Sequence, residues 1–471
     1  MNNHSRLVQL PISILAVVLL LLVASEAQSA NWSPPTKFFE VEPGGNVQFP
    51  TLLTDSGGNL HAFWGAAMTE GQPMALYHSR WQGDAWTEPV DVLLSPDGGG
   101  IWPFALHITR DDTIHVFWMG SGRIWYSLAH ASQAHDARRW SRPDAIVPEQ
   151  EPFTTLSVAQ DTAGAWYLTY SNRTLDQISL LRSEDGVIAW LPERSIYAEN
   201  DSNTWVGYPQ VVVAPDGALW VSWQQMEAGS GRAKGIAYAR SADSGETRSA
   251  PEQLIEGYYF GGFEVVGDVM VKKYGGGVGT GGRFVSFSYD SGATWTQSVN
   301  ISDGGGEGAQ GIGIALDSAG RWHFIEQSLS TFGIAVWSAG TWSGFQSILP
   351  AEELVACCPG ENAVLGISEG MRQHVFWEGE NRILWYTTRE LDAPFAAAHA
   401  LALPKTDAAP TVAPTPVVRL PTPSPTLPFL INGPAGETSA NSWHPIIIGI
   451  LPGAMLVAAT VIVHLRRTRS P

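Results

Sequence analysis

Ile114-His115-Val116-Phe117-Trp118 returns as Leu60-His61-Ala62-Phe63-Trp64 and as Gln373-His374-Val375-Phe376-Trp377, and in looser form at 166–170, 219–223 and 322–326. Each copy follows a turn that carries an acidic residue: Asp112, Asp55, Glu369, Asp161, Asp216 and Asp317 in the same order. Short runs rich in β-branched and ring residues, bounded by Gly and Asp turns, read as strands. Their return every ~50 residues marks a repeat architecture in which each unit buries its apolar face against its neighbour. Asp216 and Asp317 lie two periods apart, which leaves room for one degenerate copy near Asp268, so seven copies fit.

A further strand follows in every copy, as in Ala75-Leu76-Tyr77-His78, Ile124-Trp125-Tyr126-Ser127, Ile236-Ala237-Tyr238-Ala239 and Leu384-Trp385-Tyr386-Thr387. A fourth segment opens with Trp86, Trp140, Trp190, Arg248, Trp295 or Trp342, but the last repeat has none. Its counterpart stands at the other end of the chain, where Asn31-Trp32-Ser33-Pro34-Pro35-Thr36-Lys37-Phe38 follows the pattern of Trp140-Ser141-Arg142-Pro143-Asp144-Ala145-Ile146. A strand donated from the N-terminus to the last sheet closes a ring and removes two exposed edges. The expected fold is therefore all-β, a seven-bladed β-propeller whose N-terminal strand completes the last blade. Six blades and a linear β-solenoid are the alternatives.

The chain has 471 residues and a formal net charge of −18, which argues against a nucleic-acid surface. Its 20 Trp, 49 Gly and 31 Pro are too aromatic for disorder and too rich in turn formers for a helical bundle. Residues 1–30, with Arg6, an apolar run from Leu10 to Val23 and small residues at Ala24, Ser25 and Ala27, read as a secretory signal peptide. An uncleaved anchor is the rival reading. The propeller is assigned to 31–395 and a Pro/Thr/Ala-rich stalk to 396–444, where closely spaced prolines favour an extended spacer. An apolar stretch at 445–465 is long enough for a transmembrane helix, and the basic tail 466–471, with Arg466, Arg467 and Arg469, stays cytoplasmic. The expected location is the cell membrane, single-pass type I, with the propeller outside.

Ser288-Tyr289-Asp290-Ser291-Gly292-Ala293-Thr294-Trp295 fits the Asp-box pattern S-x-D-x-G-x-T-W between third and fourth strands. Ser241-Ala242-Asp243-Ser244-Gly245-Glu246-Thr247-Arg248 fits all but the final Trp, and Ser183-Glu184-Asp185-Gly186 is a worn copy. On these turns the chain resembles the sialidase-like (BNR repeat) β-propellers. The motif is structural: Gly accepts positive φ, Asp and Ser bond the local backbone, and the Trp packs between sheets. The resemblance implies, for an active sialidase, three arginines on the substrate carboxylate, a Tyr nucleophile paired with a Glu, and an Asp acid/base. The Arg-Ile-Pro motif that carries the first of those arginines is absent from 31–60, and the first arginine of the body is Arg80.

Other candidates come from the residues themselves. His61, His115, His323 and His374 recur at one repeat position, and packing within each repeat accounts for them better than one shared metal, whose ligands must converge to about 2 Å. Trp102 and Trp205 fall outside both Trp series, in segments leading into inner strands, where propellers border the channel mouth. With Tyr208, Tyr259, Glu264, Glu326 and Glu361 they form the expected ligand-binding rim; paired carboxylates there would suit a glycoside hydrolase. Asp201 and Asn203 offer oxygen ligands of the kind Ca²⁺ takes; apart from that pattern no cofactor is expected. Adjacent Cys357 and Cys358 either close a vicinal disulfide or remain packed thiols. The expected function is recognition of an extracellular glycan or protein at the mouth, with an exo-acting sialidase-type hydrolase and a structural surface scaffold as alternatives.

Overall fold

The computed structural model describes residues 32–101, 104–187, 189–277, 280–302, 312–327, 332–349, 362–379 and 382–395. The signal peptide, Trp102, Cys357, Cys358, Glu361, the stalk and the apolar C-terminal stretch lie outside the described residues. Among those described, no helix is long and apolar enough to cross a membrane.

One strand, β1 (Thr36–Glu40), precedes the first complete repeat. Blade 1 is β2 (Asn46–Thr54), β3 (Leu60–Ala67), β4 (Ala75–Arg80) and β5 (Val90–Leu93). Blade 2 is β6 (Phe104–Ile108), β7 (Thr113–Gly120), β8 (Arg123–His130) and β9 (Asp144–Ile146). Blade 3 is β10 (Pro152–Gln160), β11 (Trp166–Asn172), β12 (Gln177–Ser183) and β13 (Arg194–Ala198). Blade 4 is β14 (Thr204–Val213), β15 (Leu219–Glu227), β16 (Ala233–Ser241) and β17 (Glu252–Glu256). Blade 5 is β18 (Tyr259–Val266), β19 (Val269–Gly277), β20 (Thr280–Ser288) and β21 (Val299–Asn300). Blade 6 is β22 (Ile312–Leu316), β23 (Trp322–Gln327), β24 (Phe332–Ser338) and an outer strand in two pieces, β25 (Thr341–Trp342) and β26 (Gln346–Ser347), both on β24. Blade 7 is β27 (Val364–Ser368), β28 (Arg372–Gly379) and β29 (Ile383–Glu390), completed by β1 in the order β1-β29-β28-β27.

Seven antiparallel sheets therefore stand where the repeat count places them, and the degenerate copy near Asp268 is β19. Buried apolar residues fall into seven clusters, one for each pair of neighbouring blades. The cluster that joins Phe376 and Leu384 of blade 7 to Val47, Ala62 and Trp64 of blade 1 shows that the ring is closed. A linear solenoid has no such junction, and six blades would leave one sheet unassigned. Trp64, Trp118, Trp223 and Trp377 of the recurring second strands are fully buried at these junctions. One sequence detail differs: Trp86, Trp140, Trp190 and Trp295 lie ahead of the outer strands rather than opening them, with Trp86 and Trp190 held in isolated bridges to Trp81 and Ser183.

Two local devices repeat. At the first, a ring in the second strand reaches back six residues to the turn: His61 Nε2 meets Asp55 Oδ2 at 3.3 Å, the Tyr167 hydroxyl donates to Asp161 Oδ2 at 2.9 Å, and His323 Nε2 meets Asp317 Oδ2 at 2.9 Å. His374 does the same with Ser368 Oγ at 2.8 Å. At the second, Asp290 Oδ1 accepts from Ser288 Oγ and from the Thr294 N–H, both at 2.8 Å, and the Gly292 N–H donates to Ser288 Oγ at 2.8 Å. Asp243 accepts in the same way from Ser241 Oγ and Thr247, and the Gly245 N–H donates to Ser241 Oγ. Gly292 has φ +87°, and a Cβ there would run into the Trp220 ring of the preceding blade.

The closing strand is held by Ser33 N–H to the Thr388 carbonyl at 2.8 Å and by Phe38, whose ring lies 4.8 Å from Phe376 and 5.6 Å from Trp64. Phe38→Ala is expected to lower stability by about 2 to 3 kcal/mol, since the half-buried ring touches both blades it joins. Urea unfolding checks this, and an unchanged midpoint would mean that the donated strand does not fasten the ring.

Candidate functional site

The inner strands β2, β6, β10, β14, β18, β22 and β27 line the central channel, and the end where each begins is the mouth. Backbone geometry there is unusual. Phe49, Thr154 and Tyr208 have φ of +57°, +66° and +51°, each inside a bulge where β2, β10 or β14 slips against its partner. Asn362, just ahead of β27, has φ +64°. Left-handed backbone costs a non-glycine residue ~1–2 kcal/mol, so four such positions at one end of the ring need outside support.

At Phe49 and Tyr208 that support comes from the preceding blade. A bulge frees ladder N–H groups, and a buried one must find another acceptor. The Phe49 N–H donates to Glu378 Oε1 of blade 7, which also accepts from Asn362 Nδ2 at 2.9 Å. The Ala363 N–H donates to Gln327 Oε1 of blade 6 at 3.1 Å. In blade 4 the Tyr208 N–H donates to Thr154 Oγ1 at 3.4 Å and the Val211 N–H to Ser157 Oγ at 3.0 Å, both from blade 3.

The rim residues named from the sequence do not form one cluster. Tyr208 is 40% exposed at the mouth, while Trp205 and Tyr259 are half-buried in β14 and β18. Glu264 sits within β18, its Oε2 accepting from Lys273 Nζ at 2.6 Å. Glu326 is a correction: only 1% exposed, it lies inside the ring wall, where its charge acts on the buried Arg283 guanidinium, so it contributes nothing to a rim. Burial lowers the Arg283 pKa and the Glu326 carboxylate opposes that shift. Asp201 caps its own turn through the Asn203 N–H and Thr204 Oγ1 and pairs with Lys234 at 3.3 Å. Among the described residues, no group of three or more His, Cys, Asp and Glu is arranged to hold a metal.

Phe153 was not singled out by sequence reasoning. It is 38% exposed, one residue before strained Thr154. A bulge built on Thr has no glycine to announce it, which is why the sequence carried no signal.

Four buried histidines are held neutral. Burial brings His107 and His115 down to about 4 and His374 to about 3, and holds His78 well below the usual value. In the unfolded chain all four protonate near 6.5. The unfolded state therefore takes up protons that the folded state refuses, and stability present above pH ~6.5 is lost as pH falls toward the folded values.

No protein-family model matches the chain, and no curated protein does. Among solved structures it is similar to an ulvan lyase of polysaccharide lyase family PL25, at 13% identity and TM-score 0.50 over 76% of this chain and 96% of that one. It is also similar to a Dyadobacter fermentans protein of unknown function (13% identity, TM-score 0.47, covering 76% and 99%). A third match is the Trypanosoma rangeli sialidase in complex with the inhibitor DANA (12% identity, TM-score 0.42, 76% and 59%). At such identities the likeness is one of fold.

Two outcomes are expected. The urea midpoint falls between pH 7 and pH 5, before carboxylates titrate, by on the order of 1 kcal/mol per pH unit for each histidine held neutral; a flat profile over that range contradicts the assignment. Tyr208→Asn leaves stability unchanged or raises it, because Asn tolerates positive φ, whereas Tyr208→Val lowers it by about 1 kcal/mol. Thermal melts of the two variants decide.

Proposed function

We propose that the ring is a glycan-recognition head displayed outside the cell, the secretory start and the apolar C-terminal stretch of the sequence serving to export and hold it. The observation that carries this reading is the composition of the channel wall. The seven inner strands contribute a single carboxylate, Glu264, and no Lys or Arg. Glu264 is engaged by Lys273. Glycoside hydrolysis by two carboxylates calls for a pair ~5 to 9.5 Å apart across a sugar, and sialoside cleavage of the kind the resemblance implies calls for an arginine set. A wall of rings, small residues and backbone groups suits binding better than bond cleavage.

The test uses the full-length chain in detergent, offered a fluorogenic sialoside and a glycan array in parallel. Selective glycan binding without turnover is expected. Turnover of the sialoside would overturn the reading in favour of an exo-acting hydrolase; binding to no glycan would overturn it in favour of a protein ligand or a scaffold.

A further inference from the structure

Phe153 and Tyr208 are the exposed rings of two successive inner strands, 38% and 40% accessible, and the Tyr208 N–H to Thr154 Oγ1 bond ties their strands together at the mouth. Both are large rings that the neighbouring blades cover only in part. Each stands on or beside a left-handed residue, Tyr208 itself and Thr154, so the backbone strain at this junction coincides with the display of the two rings. Left-handed residues also stand at Phe49 and Asn362, but only at this junction do they coincide with two exposed rings.

Charge at the mouth narrows the ligand. Among the described residues, the connections that lead into the inner strands, 41–45, 94–101, 147–151, 199–203 and 257–258, contain six Asp and Glu and no Lys or Arg. A sialylated, uronic or sulfated glycan approaching this end meets carboxylates and is repelled. The carboxylates nearest the two rings are also matched already: Glu151 pairs with Arg173 at 3.1 Å and Asp201 with Lys234 at 3.3 Å. Glu199 accepts from the Tyr197 hydroxyl at 2.8 Å. Arg173 and Lys234 on this side are thus engaged by acidic partners, whereas Arg232 of the β15–β16 turn forms no ion pair among the described residues and is the cation an acidic glycan would have to use.

We infer that the Phe153–Tyr208 step is a saccharide-binding site selective for neutral sugars, which stack their apolar C–H faces on the rings. The inference rests on the glycan-recognition reading above and adds the ligand class and the residues. Ring stacking on a neutral sugar is nearly independent of salt, whereas capture of an acidic glycan weakens as salt rises.

The experiment prints neutral oligosaccharides (cello-, manno-, xylo- and galacto-series) beside sialylated, uronic and sulfated ones and applies the full-length chain at low salt and at about 0.5 M salt. Binding confined to neutral sugars, unchanged by salt, and reduced at least about tenfold in Phe153→Ala and in Tyr208→Asn, supports the site. Tyr208→Asn separates binding from folding, since it removes the ring at a position where Asn suits the backbone; loss of affinity without loss of thermal stability is a result that a packing role does not give. Preference for acidic glycans, weakened by salt or lost in Arg232→Ala of the nearby β15–β16 turn, overturns the neutral-sugar inference and leaves glycan recognition standing. Neutral-sugar binding that survives both ring substitutions overturns the site. Absence of any glycan binding overturns both readings.

Discussion

A single four-stranded sheet has two faces to cover and one row of side chains for each, so no blade of this protein is stable alone. Each gives half of two apolar junctions, and the arrangement is satisfied only when the last blade meets the first. The contact of Phe376 and Leu384 with Val47, Ala62 and Trp64 is therefore the constraint on which the other six junctions depend. It is also the one that crosses the ends of the chain, and β1 fastens it by lending blade 7 its outer strand from the N-terminal side. A ring closed in this way leaves no blade unpartnered and gives the inner strands a fixed radius on which a mouth can be built.

Closure has a second consequence at the mouth. Because neighbouring blades are locked together, a side chain of one can satisfy the backbone of the next. Glu378 on Phe49, Gln327 on Ala363 and Thr154 on Tyr208 are three instances, and the first and last hold a bulge that an isolated hairpin would relax. The strained residues are thus a property of the assembled ring. Loss of the blade 7 to blade 1 junction would remove the acceptor for Phe49 as well as its packing, which couples the shape of the mouth to the integrity of the whole.

Architecture was legible in the sequence because it repeats. The 114–118 pattern and its copies gave the blades, and the Trp32-Ser33-Pro34 match to Trp140-Ser141-Arg142 gave the donated strand, since both depend on periodic burial that any strand must display. The histidines at one repeat position were legible as packing, although the pairing of His61 and His323 with an Asp six positions back emerged only with the structure. The site was less legible. Glu326 replaces a Trp of its strand and looks like an exposed acid in a sequence, yet it is buried near Arg283, a partner far away along the chain. Phe153 sits in an ordinary strand pattern, and its exposure follows from a bulge at Thr154 that no glycine marks. Periodicity reports which residues a repeat must bury; departures from it, where the ligand surface arises, are set by contacts between blades.

Hydrogen exchange of the full-length chain tests the closed ring most directly. If β1 is the outer strand of blade 7, amides in 36–40 exchange as slowly as those of β29, 383–390, and both lose protection together in mild denaturant. Rapid exchange over 36–40 while β29 stays protected would contradict the account, because the ring would then be held without its donated strand.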